Sequence, residues 1–201
     1  MTDHNAPTLG WATTTTADGP FTALFDDDFV VYASGWTDSP EYLDDLIAPG
    51  LRDGGLAERP GGPVLEAVTA FYDGDFTPSA RVRVRQEAGP FIEASWEALR
   101  RVPAGRTVTY GVLAEHAGRP AAVRAAAQCC VRNAAALFVP CHRVLRWNGG
   151  LGGYRYGVDL KASLLQREAA SAVGAERPND STRVADGLDG TDDAVRSISP
   201  R

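Results

Sequence analysis

Short helical patterns, separated by prolines and glycines, fill the second half of the sequence and limit what it can fold into. An amphipathic pattern starts at Pro90, a second covers 107–118 and ends at Gly118, and a third covers 119–133. Proline ends helices because it lacks an amide hydrogen, and glycine ends them because it adopts the left-handed conformation at little cost. We therefore expect several short packed helices here. The second and third, joined by a glycine-containing turn, are typical of a helix-turn-helix.

The first part of the chain mixes strand and helix patterns. Residues 21–36 alternate apolar and small residues around an Asp-rich turn, which predicts a β-hairpin. Three further elements are predicted: a helix with Ser39 as N-cap over 39–50, an amphipathic helix over 63–74, and a half-exposed strand over 80–86. The predicted fold is a small α/β domain over 1–88, followed over 89–172 by a mainly α-helical, winged-helix-like domain with the helix-turn-helix. Its last helix covers 159–170 and starts at Asp159 as N-cap.

Composition limits the class of protein further. The hydrophobic content of 44% is enough for an ordinary packed core, and no apolar run approaches the roughly 20 residues that span a bilayer. The first residues have neither the basic nor the apolar segment of a signal peptide. Residues 173–201 have little apolar content and no periodicity, which predicts a disordered tail. Three cysteines, two of them adjacent, predict no disulfide framework and indicate a reducing cytoplasm.

Charge is distributed unevenly along the chain. Residues 1–90 carry 5 Lys/Arg and 15 Asp/Glu, whereas residues 91–172 carry 11 and 5, and residues 173–201 carry 4 and 6. The net charges are therefore −10, +6 and −2. A basic block between acidic ones can form a face for a polyanion, or it can be an unevenly charged solvated surface, and the charge pattern alone fits both.

The stretch "VPCHRV" at 139–144 lies inside the basic block and places Cys141 next to His142. It fits a nucleophile with its base, half of a metal site, or a buried structural thiol. A metal site is disfavoured because the other cysteines are adjacent, whereas zinc sites usually have paired ligands at short spacings. A structural thiol suits Cys129 and Cys130 on an alanine-rich helix. It suits Cys141 less well, because a proline, a histidine, an arginine and a glycine-rich loop surround that residue.

A nucleophilic thiol needs a base or positive charge that favours the thiolate. On an extended segment, neighbouring side chains point to opposite faces, so direct contact between Cys141 and His142 is not expected. A bridging water could carry the proton, and a carboxylate could orient the imidazole. Glu168, on the last predicted helix, is a candidate for that carboxylate.

The motif "PCHRV", preceded by "TYGVLAEHAG" and "VRAAAQCCVRN" and followed by "GGYRYG" and "KASLLQRE", resembles the O6-alkylguanine-DNA alkyltransferases. These are also called methylated-DNA–protein-cysteine methyltransferases. The resemblance covers about residues 90–170 in unbroken order. It implies irreversible direct-reversal DNA repair, in which a flipped O6-alkylguanine, or an O4-alkylthymine, gives its alkyl group to the motif cysteine. Each protein reacts once and needs no cofactor.

The resemblance also implies roles for individual residues. Cys141 resembles the alkyl acceptor, His142 the water-mediated base and Glu168 the residue that orients it. Tyr110 resembles the tyrosine that donates a hydrogen bond to the flipped guanine, and Asn133 the hinge asparagine. The implied DNA contacts come from Arg124, Tyr110, Arg119 and Arg132, with Arg124 as the finger that replaces the extruded base. The implied alkyl pocket consists of Pro140, Gly153, Tyr154 and Arg155.

Some residues depart from the family pattern. The chain has Asn133-Ala134 where Asn-Pro is usual, and "AQCC" where small residues follow the finger.

No metal is expected, because residues 1–90 lack the zinc ligands of some members. The partner implied is double-stranded DNA carrying O6-alkylguanine, bound by a monomer or by monomers that cooperate along DNA, with no membrane. The alternatives are a non-catalytic, helix-turn-helix lesion-binding protein and a Cys-His hydrolase, which would turn over repeatedly.

Overall fold

A four-stranded sheet forms the centre of the first part of the chain in the computed structural model, which describes residues 8–52 and 54–175. The strands are β1 (Leu9–Thr16), β2 (Gly19–Phe25), β3 (Val31–Gly35) and β4 (Leu56–Glu58), in the spatial order β3-β2-β1-β4. β2 is antiparallel to both β1 and β3, and β4 is parallel to β1. The hairpin expected over 21–36 is confirmed as β2 and β3. The sequence pattern does not predict β1, because four consecutive threonines, 13–16, hide the alternation of its two faces.

Three helices accompany the sheet: α1 (Pro40–Asp44), α2 (Gly62–Tyr72) and α3 (Thr77–Arg81). Ser39 caps α1 as expected, since its hydroxyl accepts a hydrogen bond from the Tyr42 amide at 3.2 Å. The expectation that this helix reaches residue 50 is wrong. The helix ends at Asp44, because the carboxylates of Asp44 and Asp45 are unfavourable at the negative, C-terminal end of a helix. Both carboxylates form ion pairs with Arg52, which follows the helix.

The strand expected over 80–86 is also wrong. Residues up to Arg81 belong to α3, which has Pro78 in its first turn, a position that proline favours. Within 80–86, the pairing with the sheet is limited to one parallel bridge between Val84 and Val31 of β3. The expected alternation is nevertheless present, because the valines are half-buried and the arginines are exposed.

The second part of the chain is mainly helical, as expected. Its helices are α4 (Pro90–Arg100), α5 (Tyr110–His116), α6 (Val123–Arg132) and α7 (Val158–Ala175), and a two-stranded parallel sheet joins β5 (Val108–Thr109) to β6 (Val144–Leu145). Gly118 ends α5 with φ of +81°, and the next amide, that of Arg119, donates to Ala114 O at 2.9 Å. The N-cap expected at Asp159 is wrong, since α7 begins one residue earlier and Asp159 lies in its first turn.

Ser34 in β3 joins the two parts of the chain. Its amide donates to Ala134 O at 2.9 Å, its carbonyl accepts from the Ala136 amide at 3.0 Å, and its hydroxyl donates to Ala136 O at 2.8 Å. The segment that leads from α6 into "VPCHRV" is thus fixed on the edge of the N-terminal sheet.

One buried apolar cluster extends through both parts. It includes Phe21 and Phe71 from the first part and Trp96, Leu99 and Leu164 from the second. The division at residues 88 and 89 stays a prediction. Within the described residues, no helix is both long and apolar enough to cross a bilayer. The tail predicted from residue 173 begins inside α7, and its part after residue 175 lies outside the described residues.

Candidate active site

The motif cysteine lies at the start of a buried 3-10 turn. The turn covers Cys141–Arg143, so the extended segment expected there is wrong, although Cys141 and His142 still have different hydrogen-bond partners. Asn133, just after α6, donates from Nδ2 to Cys141 Sγ at 3.2 Å and to Val139 O at 2.8 Å. The side-chain amide therefore ties the end of α6 to the cysteine turn.

Cys141 opens onto a cavity of about 410 Å³. This is within the roughly 300–1,000 Å³ of typical small-molecule sites. Six of the residues to which the resemblance gives a role line it: Tyr110, Asn133, Cys141, Gly153, Tyr154 and Arg155. Pro140 is buried but is not among the lining residues. Five further lining residues were not anticipated, because periodicity does not show which helix or loop faces a cavity: Ala127, Cys130, Val131, Ala136 and Tyr156.

His142 is completely buried and pairs with Glu168 on α7. The distance from His142 Nε2 to Glu168 Oε1 is 2.8 Å. Burial lowers the pKa of His142, although the bond to Glu168 opposes this, so the imidazole is neutral near pH 7. A carboxylate only accepts hydrogen bonds, so we assign the single imidazole proton to Nε2. His142 Nδ1 then has a free lone pair and no hydrogen-bond partner among the described residues.

Arg143 is a member of this cluster that the sequence reasoning missed. Its guanidinium donates from Nη2 to Glu168 Oε1 at 2.8 Å and from Nε to both carboxylate oxygens at 3.1 Å. Burial by itself raises the pKa of Glu168, but the hydrogen bonds and charges of His142 and Arg143 outweigh it and lower the pKa to about 2. An arginine inside an apolar stretch was the available signal, because a buried charge needs a partner.

The Cys141 thiol is protonated at neutral pH in this environment. Burial raises its pKa to about 12, and the hydrogen bond from Asn133 opposes that rise only in part. Burial also raises the pKa of Tyr110 and of Tyr154, so both phenols keep their protons. The two phenols and the thiol on the cavity wall are therefore neutral at pH 7, and the sulfur becomes a strong nucleophile only when it loses its proton.

The adjacent cysteines differ from each other. Cys129 is buried in the core, as a structural thiol should be, whereas Cys130 is half-buried and lines the cavity.

Lys161 is also buried, and its ammonium donates to Val144 O at 2.6 Å and to Leu151 O. Within residues 8–52 and 54–175, no group of three or more His, Cys, Asp or Glu side chains could hold a metal ion.

The arginines implied to contact DNA lie in different surroundings. Arg124, near the start of α6, is exposed. Arg119 is also exposed, with its guanidinium 5.7 Å from the centre of the Phe91 ring. Arg132, at the other end of α6, lies beside a small cavity that is lined mainly by residues of the N-terminal part. The structure thus brings together the cysteine, histidine, glutamate, asparagine and tyrosines, and leaves these arginines outside the cavity.

Comparison with known proteins gives consistent results. Residues 90–170 match the family described as "6-O-methylguanine DNA methyltransferase, DNA binding domain". The chain is 53% identical over 106 residues to the "Bifunctional transcriptional activator/DNA repair enzyme Ada" of Escherichia coli. This match covers 53% of this chain and 29% of the Escherichia coli protein. It is 32% identical over 154 residues to the "Methylated-DNA--protein-cysteine methyltransferase" of Salmonella typhimurium, covering 75% of this chain and 90% of that one.

A solved structure has a similar fold. The Mycobacterium tuberculosis OGT, determined in complex with DNA, superimposes with a TM-score of 0.68 at 26% identity, covering 81% of this chain and 94% of that one. The Salmonella relative is matched over nine-tenths of its length. The family match over residues 90–170 includes the cysteine motif and every residue that lines the cavity. The chain therefore belongs to the methylated-DNA–protein-cysteine methyltransferase family.

Proposed function

We propose that this chain repairs DNA by direct reversal, moving the alkyl group of O6-alkylguanine onto Cys141 in a single irreversible event. The observation that carries the proposal is the thiol of Cys141 at the wall of a cavity, with His142 next to it in the same turn and bonded to Glu168 of α7. A thioether has no evident route back to the thiol. Each chain therefore accepts one group and is consumed.

The transfer is an in-line displacement in which the bond from sulfur to carbon forms as the bond from carbon to O6 breaks. The Cys141 proton must leave during this step, because burial keeps the thiol protonated beforehand. His142 Nδ1 has the free lone pair to take that proton through one water, and the Glu168 carboxylate stabilises the imidazolium that forms. The departing guanine takes up a proton in return.

Tyr110 and Asn133 support this chemistry from the cavity wall. The phenol of Tyr110 keeps its proton, so it can donate a hydrogen bond to the leaving guanine and reduce the charge that develops there. Asn133 holds Cys141 Sγ with its side-chain amide, which directs the sulfur toward the cavity. Gly153, Tyr154 and Arg155 form the loop that encloses the alkyl group.

The substrate is proposed to be double-stranded DNA, with the damaged base turned out of the helix. O6 lies inside the base stack, so Cys141 can reach it only after the nucleotide leaves the duplex, which costs a few kcal/mol. Arg124 is exposed near the start of α6, where it can fill the space that the base leaves. Arg119, Arg132 and the rest of the basic block, with its net charge of +6 over 91–172, would attract phosphates.

The working unit is proposed to be one chain, because a single polypeptide is sufficient to form the cavity and the His142–Glu168 pair. Gel-shift titration on duplexes of increasing length distinguishes independent from cooperative loading. We place the protein in the reducing cytoplasm, since its three cysteines are free thiols and the acceptor must stay reduced.

The test is intact-mass measurement after mixing the protein with a duplex that contains one O6-methylguanine, followed by peptide mapping of the three cysteines. We expect one methyl group per chain, on Cys141, and no further reaction with excess substrate. Cys141→Ser should bind the duplex but take up no methyl group, because an alcohol is far harder to deprotonate than a thiol. An unmodified wild-type protein that still binds the lesion would support the lesion-binding alternative. Repeated turnover would indicate a hydrolase.

A further inference from the structure

The wall of the cavity next to Cys141 is backed by the N-terminal part of the chain. Tyr154 and Tyr156 both line the cavity, with ring centroids 5.9 Å apart. The ring of Trp36, which directly follows β3, lies behind them at 6.4 Å from Tyr154 and 5.6 Å from Tyr156. Trp36 is itself buried, so the two tyrosines have an aromatic side chain, and not solvent, behind them.

Gly35 gives Tyr156 the space that it occupies. The Tyr156 hydroxyl donates to Ser34 O at 3.3 Å, directly over the backbone of Gly35. A Cβ atom on Gly35 would lie 1.9 Å from the Tyr156 hydroxyl oxygen and 2.1 Å from the ring carbon that carries it. Any side chain at position 35 must therefore displace the Tyr156 ring from the backbone of β3. Because the other side of that ring borders the cavity, the displacement is directed toward the cavity.

A chain of hydrogen bonds holds Trp36 in position. Its indole Nε1 donates to the Tyr72 hydroxyl at 2.8 Å, and that hydroxyl donates to Asp18 Oδ2 at 2.8 Å. Asp18 Oδ1 accepts from the Ser163 hydroxyl of α7 at 2.7 Å. The guanidinium of Arg167, also on α7, lies 4.6 Å from the centre of the Tyr72 ring. Burial raises the pKa of Tyr72 to about 12, so its hydroxyl remains a donor at neutral pH.

We propose that Gly35 and Trp36 set the largest alkyl group that the cavity accepts, by fixing how far Tyr156 and Tyr154 extend into it. They are positioning residues, because neither lines the cavity itself. Gly35 lets Tyr156 lie against β3, and Trp36, held by Tyr72, stops the wall from moving further back. This inference rests on the proposed function.

The two residues should act in opposite directions. Gly35→Ala pushes Tyr156 toward the cavity, so the ratio of benzyl to methyl transfer should fall about tenfold, as expected for overpacking. Trp36→Phe leaves space behind the tyrosines and removes the indole hydrogen bond, so the same ratio should rise severalfold. Tyr72→Phe removes the hydroxyl that accepts from Trp36 and donates to Asp18 but leaves the indole ring in place, so it should give a smaller rise. Gly89→Ala is the matched control, because a Cβ there meets nothing within 4 Å.

The experiment measures single-turnover rates with two duplexes of identical sequence, one carrying O6-methylguanine and the other O6-benzylguanine. A double-mutant cycle with Tyr156→Ala tests the route of the effect. If Gly35→Ala acts through Tyr156, it should have no effect on the ratio when position 156 is alanine. An equal fall in both rates for Gly35→Ala, or an effect that persists in the Tyr156→Ala background, would overturn the inference.

Two further outcomes keep the result interpretable. Should Gly35→Ala fail to fold, the Trp36→Phe and Tyr72→Phe variants decide the question, since unchanged ratios in both would overturn the inference. A wild-type protein that transfers no methyl group at all would instead overturn the proposed function. Failure of the inference and failure of the function therefore give different results.

Discussion

Replacing Glu168 with glutamine should destabilise the protein by about 3–5 kcal/mol, as expected when one partner of a buried ion pair is lost. The pKa of Glu168 is lowered from 4.5 to about 2, and a shift of that size corresponds to about 3 kcal/mol. Glutamine keeps the shape but leaves the Arg143 guanidinium buried without its counter-charge. Its amide hydrogens would also face other donors, the imidazole of His142 or the guanidinium of Arg143.

The assay is urea unfolding of the wild type and of Glu168→Gln as a function of pH. A pKa that is lower in the folded state means that the stability from Glu168 is complete above about pH 4.5 and is lost as the pH falls toward 2. The wild type should therefore lose this part of its stability over that range. The difference in unfolding free energy between the wild type and Glu168→Gln should become smaller as the pH falls. At neutral pH the melting temperature of the variant should be about 10 °C lower.

Glu115→Gln is the control for this measurement, because Glu115 is exposed on α5. It removes the same charge without removing a buried contact, so its unfolding free energy should change by less than about 0.5 kcal/mol. The reasoning would be refuted if Glu168→Gln were as stable as Glu115→Gln at pH 7. A constant difference between wild type and Glu168→Gln from pH 7 to pH 3 would refute it equally.

Two other substitutions give clear expectations. Arg124→Ala should leave the unfolding free energy within about 0.5 kcal/mol of wild type, because the side chain is exposed. It should slow transfer from a lesion in duplex DNA far more than transfer from the free base O6-benzylguanine, and an equal effect on both rates would show that Arg124 does not assist base flipping. Asn133→Ala removes the donor to Val139 O and Cys141 Sγ, so it should cost about 1–3 kcal/mol in urea unfolding and slow methyl transfer. A variant with wild-type stability and rate would contradict this.

Local patterns predict those parts of the fold in which the chain determines its own conformation. The hairpin of β2 and β3 follows from alternation around an Asp-rich turn, and the helix-turn-helix follows from Gly118 between two helical patterns. The extent of α1 and the fate of 80–86 could not be predicted in this way. The first depends on the contacts of Arg52, and the second on a single bridge to β3.

The same distinction applies to the site. Cys141 and His142 are neighbours in the sequence, whereas Glu168, 26 residues away from His142, was one candidate carboxylate whose role only the resemblance to the family specified. Arg143 had a readable signal, a charge within an apolar stretch. Trp36 and Tyr156 had none, because they meet only when two distant segments fold against each other.

The hydrogen bonds of Ser34 have a consequence for the order of folding. Ser34 and Ala136 are 102 residues apart in sequence, and Ser34 and Tyr156 are 122 apart. Closing a loop of about 100 residues costs about 4 kcal/mol of chain entropy, so these contacts are expected to form late. During synthesis, residues 34–36 leave the ribosome long before residues 154–156, so the aromatic wall beside Cys141 is among the last features to assemble. An unfinished chain can contain the Cys141 thiol, but it does not yet have the complete wall of the cavity onto which that thiol opens.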